Sequence, residues 1–328
     1  NVYVNSIYDS NSLKDSQVFS IIEDRSGLLW VGTYSGVSRC DPYNKIQHYK
    51  NNPLDENSLK ENMIKAFYED EQGILWVGTN NSGVNLLDRK NDIIRIIDTE
   101  SEPIKISSNT INDIAGYKEY IFVGTHKGVN LINLQKGTNK IYDENNGLTS
   151  SIIKKLYCDS KGYLWIGTDI GINIINIKTG EIVDTSILDE YGDVFINNNI
   201  RAIYEDSEGY YWVGTLTEEG MVKIDPFSRK ITKYKNIPED ETSISSNSIR
   251  AIAEDSKGDI WIGTSLGLNR YNKETGEFTI YTTDNGLSNN TVYGILIDDH
   301  DNIWVSTNNG ISKYEQENDK FSNYSTVD

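Results

Sequence analysis

The sequence predicts an all-β fold, a single seven-bladed β-propeller with four antiparallel strands per blade, spanning residues 1–328. Three observations carry that expectation. One phrase recurs along nearly the whole chain, as in DRSGLLWVGTYSGV (24–37) and DSKGDIWIGTSLGL (255–268). All six tryptophans sit at one place in it, at Trp30, Trp76, Trp165, Trp212, Trp261 and Trp304. Phe122 takes that place in a weaker seventh copy, EYIFVGTHKGV, and the landmarks lie 43 to 49 residues apart. A period of that size in a β-rich chain is the mark of a propeller blade, and no stretch carries a convincing helical pattern.

Each copy reads as four short strands. The first alternates apolar residues and mostly ends in an acidic pair, as in IRAIAED (249–255). A D-x-x-G turn follows, in which Asp24, Asp70, Asp159, Asp206, Asp255 and Asp298 are expected to accept backbone N–H groups. Gly27, Gly73, Gly162, Gly209 and Gly258 supply the positive φ of that turn. The second strand, [LIY]-W-[VI]-G-T, offers its tryptophan to the wedge between neighbouring blades. A short turn opens the third strand, G-[VILM]-x-x-x-[DNE], and a K-x-G or similar turn leads to an outer strand such as FTIY (278–281) or FSNY (321–324). The third copy lacks both tryptophan and acidic turn, and the last has Ser306 and Asp301 where glycines are usual, so irregular hairpins are expected in both. Strand 321–324 is expected to complete the seventh blade, with residues 2–4 packing beside it.

The bulk numbers narrow the function classes. The chain is 37% apolar and 10% aromatic, with no apolar run near the ~18 residues that cross a bilayer, which reads as a soluble globular protein. A net charge of −18 argues against a nucleic-acid partner and against an anionic membrane surface. The start lacks the charged residues and apolar core of a secretory signal, which leaves a fragment and a complete protein equally open. Cys40 and Cys158 fall in the first and fourth units, so they are expected to be small buried hydrophobes rather than a disulfide, and they do not decide the compartment.

Taken with its connectors, the phrase is more specific than a generic propeller repeat. NGLSNNTV (285–292) and NGLTSSII (146–153) show a short connector, and NPLDENSLKENMI (52–64) and IPEDETSISSNSI (237–249) a long one. The combination resembles the two component regulator propeller family over all seven units. A sialidase Asp-box fits less well, because here the Asp lies six residues before Trp. The resemblance implies the extracytoplasmic input region of a membrane-bound regulator, periplasmic or at the cell surface. It further implies an immunoglobulin-like linker, a transmembrane helix and an output domain such as a histidine kinase or cyclase in the intact protein, with paired sensor regions as a homodimer. No membrane insertion is expected of the propeller itself.

In a four-stranded meander the D-x-x-G turns lie on one face. The T-x-x-G turns, the connectors and the start of the innermost strand lie on the other, where the copies diverge most. A recurring polar ring stands there, Ser16, Asn62, Asn109, Ser150, Asn198, Asn247 and Asn290, for which a plain strand-entry cap outweighs a ligand role. A second ring varies, as Phe19, Lys65, Asn112, Ile153, Arg201, Arg250 and Tyr293. The nonrecurring residues Tyr34, Asn80, His126, Lys127, Asp169, Arg201, Arg250, Tyr293 and Asn308 are the candidate ligand-binding set. Amides, hydroxyls, aromatics and a few charges around an axial funnel suit a small polar ligand such as an oligosaccharide.

No metal-ligand spacing, nucleophile motif or phosphate loop is present, so no catalytic residue, metal or cofactor is assigned. His48 and His300 are expected at the surface, which leaves His126 on the variable face. Asp169, Glu218, Glu219, Asp189 and Glu190 are carboxylates on that face, and two held together would support glycoside hydrolysis. A propeller glycosidase or polysaccharide lyase, with Tyr34 as a further candidate, is therefore the alternative to noncatalytic sensing. A protein-interaction scaffold is the third reading.

Overall fold

The computed structural model describes residues 13, 15–40, 47–183, 195, 197–228 and 230–324. Within them, 28 strands form seven four-stranded antiparallel sheets, each ordered in chain sequence from the innermost strand outward. The innermost strands, Val18–Glu23, Ile64–Glu69, Ile111–Tyr117, Ile153–Cys158, Ile200–Glu205, Ile249–Glu254 and Val292–Ile297, pack side by side around the axis. Lys320–Tyr324 pairs with Gly310–Glu315 and completes the seventh blade, as expected, whereas residues 2–4 lie outside the described ones. Two connectors wind single 3-10 turns, Glu144–Asn146 and Thr283–Asn285, in a chain whose sequence showed no helix.

The shared phrase holds together through one carboxylate. In all six tryptophan copies the Oδ1 of the turn aspartate accepts two backbone N–H bonds, as Tyr210 N and Glu208 N donate to Asp206 at 2.9 and 3.1 Å. Its Oδ2 accepts the indole N–H six residues on, at 2.6 to 2.9 Å. Turn and wedge are therefore one device, and the copy without the aspartate also lacks the indole. There Phe122 packs with no polar handle, and the inner hairpin tightens to Lys118 and Glu119, with Lys118 at φ 54. The last blade is regular despite Asp301, a correction of the irregularity expected there: Asp301 adopts φ 62 and keeps the turn.

Blades meet through the tryptophan and through a glycine. Trp212 packs on Ile260, Ile262 and Tyr271 of the next blade, and the same pairing recurs around the ring. The glycine of each G-T pair lies against the first residue of the following inner strand. A Cβ placed on Gly78 would sit 2.7 Å from Ile111 Cγ2, and one on Gly263 2.6 Å from Val292 Cγ1.

The acidic pair that ends most inner strands divides its work. The aspartate closes its own turn, and the glutamate before it reaches back to the previous blade. Ser160 and Ser207 donate their backbone N–H to Glu205 and Glu254 at 2.7 and 2.6 Å, with their hydroxyls on the same carboxylates at 2.9 Å. At the seam between blades seven and one, Asp299 occupies the serine position and faces Glu23. Burial pushes the Glu23 carboxyl up, and Asp299, Asp298 and Asp24 add to the shift. A raised carboxyl contributes stability below its unfolded value and loses it as pH rises through the folded one, so ionised Glu23 weakens the closure at neutral pH. Asp299→Ser, which restores the hydroxyl donor, is expected to raise the melting temperature at pH 7 by the equivalent of about 0.5 kcal/mol after solvent screening. The gain shrinks as the pH is lowered and Glu23 takes up its proton; equal or lower stability of the variant at pH 7 would contradict the seam conflict.

Candidate functional site

All seven inner strands carry a β-bulge one residue after they begin, where two residues face one on the partner strand. The extra residues are Phe19, Lys65, Asn112, Lys154, Arg201, Arg250 and Tyr293. A bulge leaves its extra residue out of the ladder and re-aims the side chain, which is why bulges gather beside functional sites. Phe19, Lys65, Arg201, Arg250 and Tyr293 line one axial cavity of about 240 Å³. The bulge explains why the variable ring points inward at a place where strict alternation would alternate it away. It also corrects the fourth blade: Ile153 pairs with Thr168 as Val18 pairs with Thr33, so the variable position is Lys154, not Ile153. Ser151 then replaces Ser150 in the polar ring, and its Oγ accepts from Glu144 N at 3.3 Å as Asn290 accepts from Thr283 N at 2.8 Å.

The ring has two sectors. Phe19 meets Tyr34 edge-on at 4.8 Å and Tyr293 at 5.9 Å between ring centroids. The Tyr293 hydroxyl donates to Asn308 Oδ1 at 3.0 Å, and the Arg250 guanidinium lies over the Tyr293 ring at 5.0 Å. Four of the candidate residues, Tyr34, Arg250, Tyr293 and Asn308, thus form one aromatic sector. The other sector gathers His126, Asp169 and Arg201 with Lys65 and Lys154. Burial lowers the His126 imidazole first, and Lys154, Lys65 and Arg201 push it further down while Asp169 opposes them. Burial likewise lowers the Lys65 and Lys154 ammoniums, with Arg201 acting against both, and lowers the Arg201 guanidinium, with Arg250 acting against it.

Asn80 and Lys127 are held by their backbones, Asn80 N on Met63 O at 3.1 Å and Lys127 N on Thr125 Oγ1 at 2.9 Å, and the structure ties neither side chain to the two sectors. Lys65 and Lys154 complete the cationic sector but were not among the candidates. Lys65 carried a signal, its place in the variable ring, whereas Lys154 was hidden by the one-residue register error. The polar ring behaves as a clamp: Asn62 and Asn247 accept the backbone N–H of Asn51 and Asn236, at 2.7 and 2.8 Å, and so pin the long connectors. Of the carboxylates, Glu219 pairs with Lys233 at 2.8 Å and Lys235 at 3.3 Å, and Glu218 accepts from Asn247 Nδ2 at 3.3 Å. Asp189 and Glu190 lie outside the described residues. His48, expected at the surface, is half-buried with Nδ1 3.0 Å from Ser38 Oγ, while His300 is exposed. Cys158 is a free thiol pushed up to about 12 by burial. Among the described residues no group of His, Cys, Asp and Glu is placed to hold a metal ion, and no helix is long and apolar enough to cross a membrane.

Six segments of the chain, 12–35, 58–81, 147–169, 194–217, 243–265 and 286–309, match the model described as two component regulator propeller. No curated protein matches the chain. Among solved structures it is similar to the extracellular domain of a hybrid two component system from B. thetaiotaomicron, at TM-score 0.76 and 20% identity over 95% of this chain and 41% of that one. A second extracellular domain from the same organism, described as a one component system, gives TM-score 0.74 and 22% identity over 95% and 39%. The chain thus spans about two fifths of the length of these structures. It is also similar to virginiamycin B lyase from Staphylococcus aureus, at TM-score 0.66 and 17% identity over 89% and 92%. At these identities the likeness shows the fold.

Proposed function

We propose that this chain, which belongs to the two component regulator propeller family, is the noncatalytic ligand-sensing part of a membrane-bound signalling protein, exposed outside the cytoplasm, and that its ligand is a glycan. The observation that carries the reading is the set of seven bulges, five of which place the least repetitive side chains of a highly repetitive chain in the wall of one axial cavity. A scaffold that only presented surface would have no use for them. The extracellular domains of two component systems among its structural neighbours support the location and the sensing role. Against catalysis stands the engagement of Glu218 and Glu219 by Asn247, Lys233 and Lys235, which leaves Asp169 as the described candidate carboxylate in the cluster. Ligand binding would bias the packing of paired sensor regions and so the output beyond the membrane.

A thermal-shift and calorimetric screen against oligosaccharide pools is expected to give saturable binding, with the oligosaccharide recovered unchanged by chromatography. Product formation that disappears in Asp169→Asn would replace sensing by catalysis. Absence of saturable binding to every pool would overturn the glycan reading.

A further inference from the structure

We propose that the axial site selects an anionic glycan, one whose sugars carry carboxylate or sulfate groups, with Arg201, Arg250 and Lys65 in the cavity wall receiving the charge, Lys154 at the bulge of the blade before Arg201 adding to the field, and Tyr293 stacking on the sugar. The inference rests on the glycan-sensing reading above and narrows it.

Charge is the first argument. The chain carries a net charge of −18, and its 31 lysines and arginines in 328 residues would put fewer than one in any seven positions. The seven bulge positions hold four, and no carboxylate. Among the described residues none of the four is in an ion pair, although each is at least half-buried or crowded by another of the set. The neighbouring position shows that the fold can neutralise such a charge: Lys155, directly after Lys154, pairs with Asp113 at 2.9 Å. Lys65 and Arg201 donate only to neutral amide oxygens, of Asn112 at 3.3 Å and Asn199 at 2.9 Å, which leaves the charge itself uncompensated; crowded cations in that state weaken the empty protein, and a bound anion removes that cost. Asp169 is the carboxylate that acts on Lys154 and Arg201, and its Oδ1 is buried without a hydrogen-bond partner, so it moderates the positive sector without clamping any member of it.

Size and shape are the second argument. A cavity of about 240 Å³ falls below the ~300–1,000 Å³ of pockets that enclose drug-sized ligands. One charged sugar enters and the rest of the chain lies across the mouth. Arg250 spans the two sectors, over the Tyr293 ring at 5.0 Å, so a guanidinium and an aromatic face meet the same residue of the ligand. Fixed guanidinium forks match carboxylate and sulfate oxygens in pairs.

The test is calorimetry on the whole chain with tetragalacturonate, a sulfated chondroitin tetrasaccharide, the uncharged galactotetraose and inorganic sulfate, at low and high salt. Arg201→Gln and Arg250→Gln are compared with Lys178→Gln on the exposed surface. One of the two charged oligosaccharides is expected to bind at least tenfold more tightly than galactotetraose, to weaken at least tenfold in each arginine variant and at high salt, and to be unaffected by Lys178→Gln. Which of the two binds distinguishes carboxylate from sulfate. The ligand-free arginine variants are expected to melt no lower than the parent, since each removes a like charge; a merely structural arginine would lower the melting temperature. Galactotetraose bound as tightly and independently of both arginines would overturn the charge assignment while leaving glycan sensing intact. Inorganic sulfate bound as tightly as either charged oligosaccharide would overturn the glycan assignment. Binding of none of the four would overturn the inference, and the pool screen would still decide the sensing reading separately.

Discussion

Asp206→Ala is expected to destabilise the propeller by about 3–5 kcal/mol, the summed cost of leaving three buried N–H donors without their acceptor. The Asp206 side chain is fully buried. Its Oδ1 accepts from Glu208 N and Tyr210 N, and its Oδ2 from Trp212 Nε1 at 2.8 Å and from Lys273 Nζ at 3.0 Å, a residue of the following blade. Deleting the carboxylate strands two backbone donors and the indole N–H at once, and it takes one carboxylate from a largely buried ammonium that keeps Glu254 at 2.7 Å and Glu208 at 3.4 Å. Asp206→Asn keeps one oxygen for the turn and is expected to lose less. Trp212→Phe keeps an apolar wedge and loses the indole bond with part of the ring packed on Tyr234 and Tyr271, so it too is expected to cost less than Asp206→Ala. The third blade shows why the pair must be treated together: Phe122 is fully buried where there is neither indole nor turn aspartate. Chemical denaturation of the three variants checks the order; an Asp206→Ala protein within about 1 kcal/mol of the parent would mean that the carboxylate is dispensable.

Much of this was legible beforehand. The blade count, the strand order, the closing strand and the turn role of the aspartates follow from coming back to the same residues every 43 to 49 positions, because seven copies of one unit make their own alignment. What could not be read is any contact that joins two features of the phrase. Residue types alone give the aspartate a turn and the tryptophan a wedge separately, and the six-residue interval between them is the reach of an indole N–H only once the hairpin is folded. The same limit governs the site. Strand alternation says which residues face the same way, but a bulge breaks alternation without any sequence mark, so Arg201 and Arg250 stand out in the sequence by their variability and not by their direction. Lys154 was missed because a slip of one residue between Ser150 and Ser151 exchanges a lysine for a core isoleucine. Asn80 and Lys127 vary as freely as the bulge residues, since variability also accumulates where a turn is held by its backbone.

Gly167→Ala is expected to destabilise the protein by about 2–3 kcal/mol, through overpacking rather than through backbone strain. Gly167 lies within strand Tyr163–Thr168, outside the positive-φ region, so alanine meets no conformational penalty there. Its Cβ would lie 2.8 Å from Ile200 Cγ2, 2.9 Å from Ile200 Cβ and 3.1 Å from the Ile200 carbonyl oxygen. A rotamer change can move the first of these but not the other two, so the fourth and fifth blades must separate, and each blade's position is tied to both neighbours in a closed ring. The seam offers the control. Ser306 stands at the same place in the seventh blade, fully buried with its Oγ lacking a hydrogen-bond partner, and Val18 replaces isoleucine across from it. Trp304 beside it is the one landmark tryptophan that is not buried. The ring therefore closes at a joint where a side chain on the second strand is already accommodated. Ser306→Ala removes an unsatisfied hydroxyl without adding volume and is expected to be neutral or stabilising by up to about 1 kcal/mol. Opposite signs for alanine at two equivalent positions, measured by denaturation of the two variants side by side, would show that inter-blade spacing is set by the glycine and differs at the seam; equal losses would show that the seam is packed like every other joint.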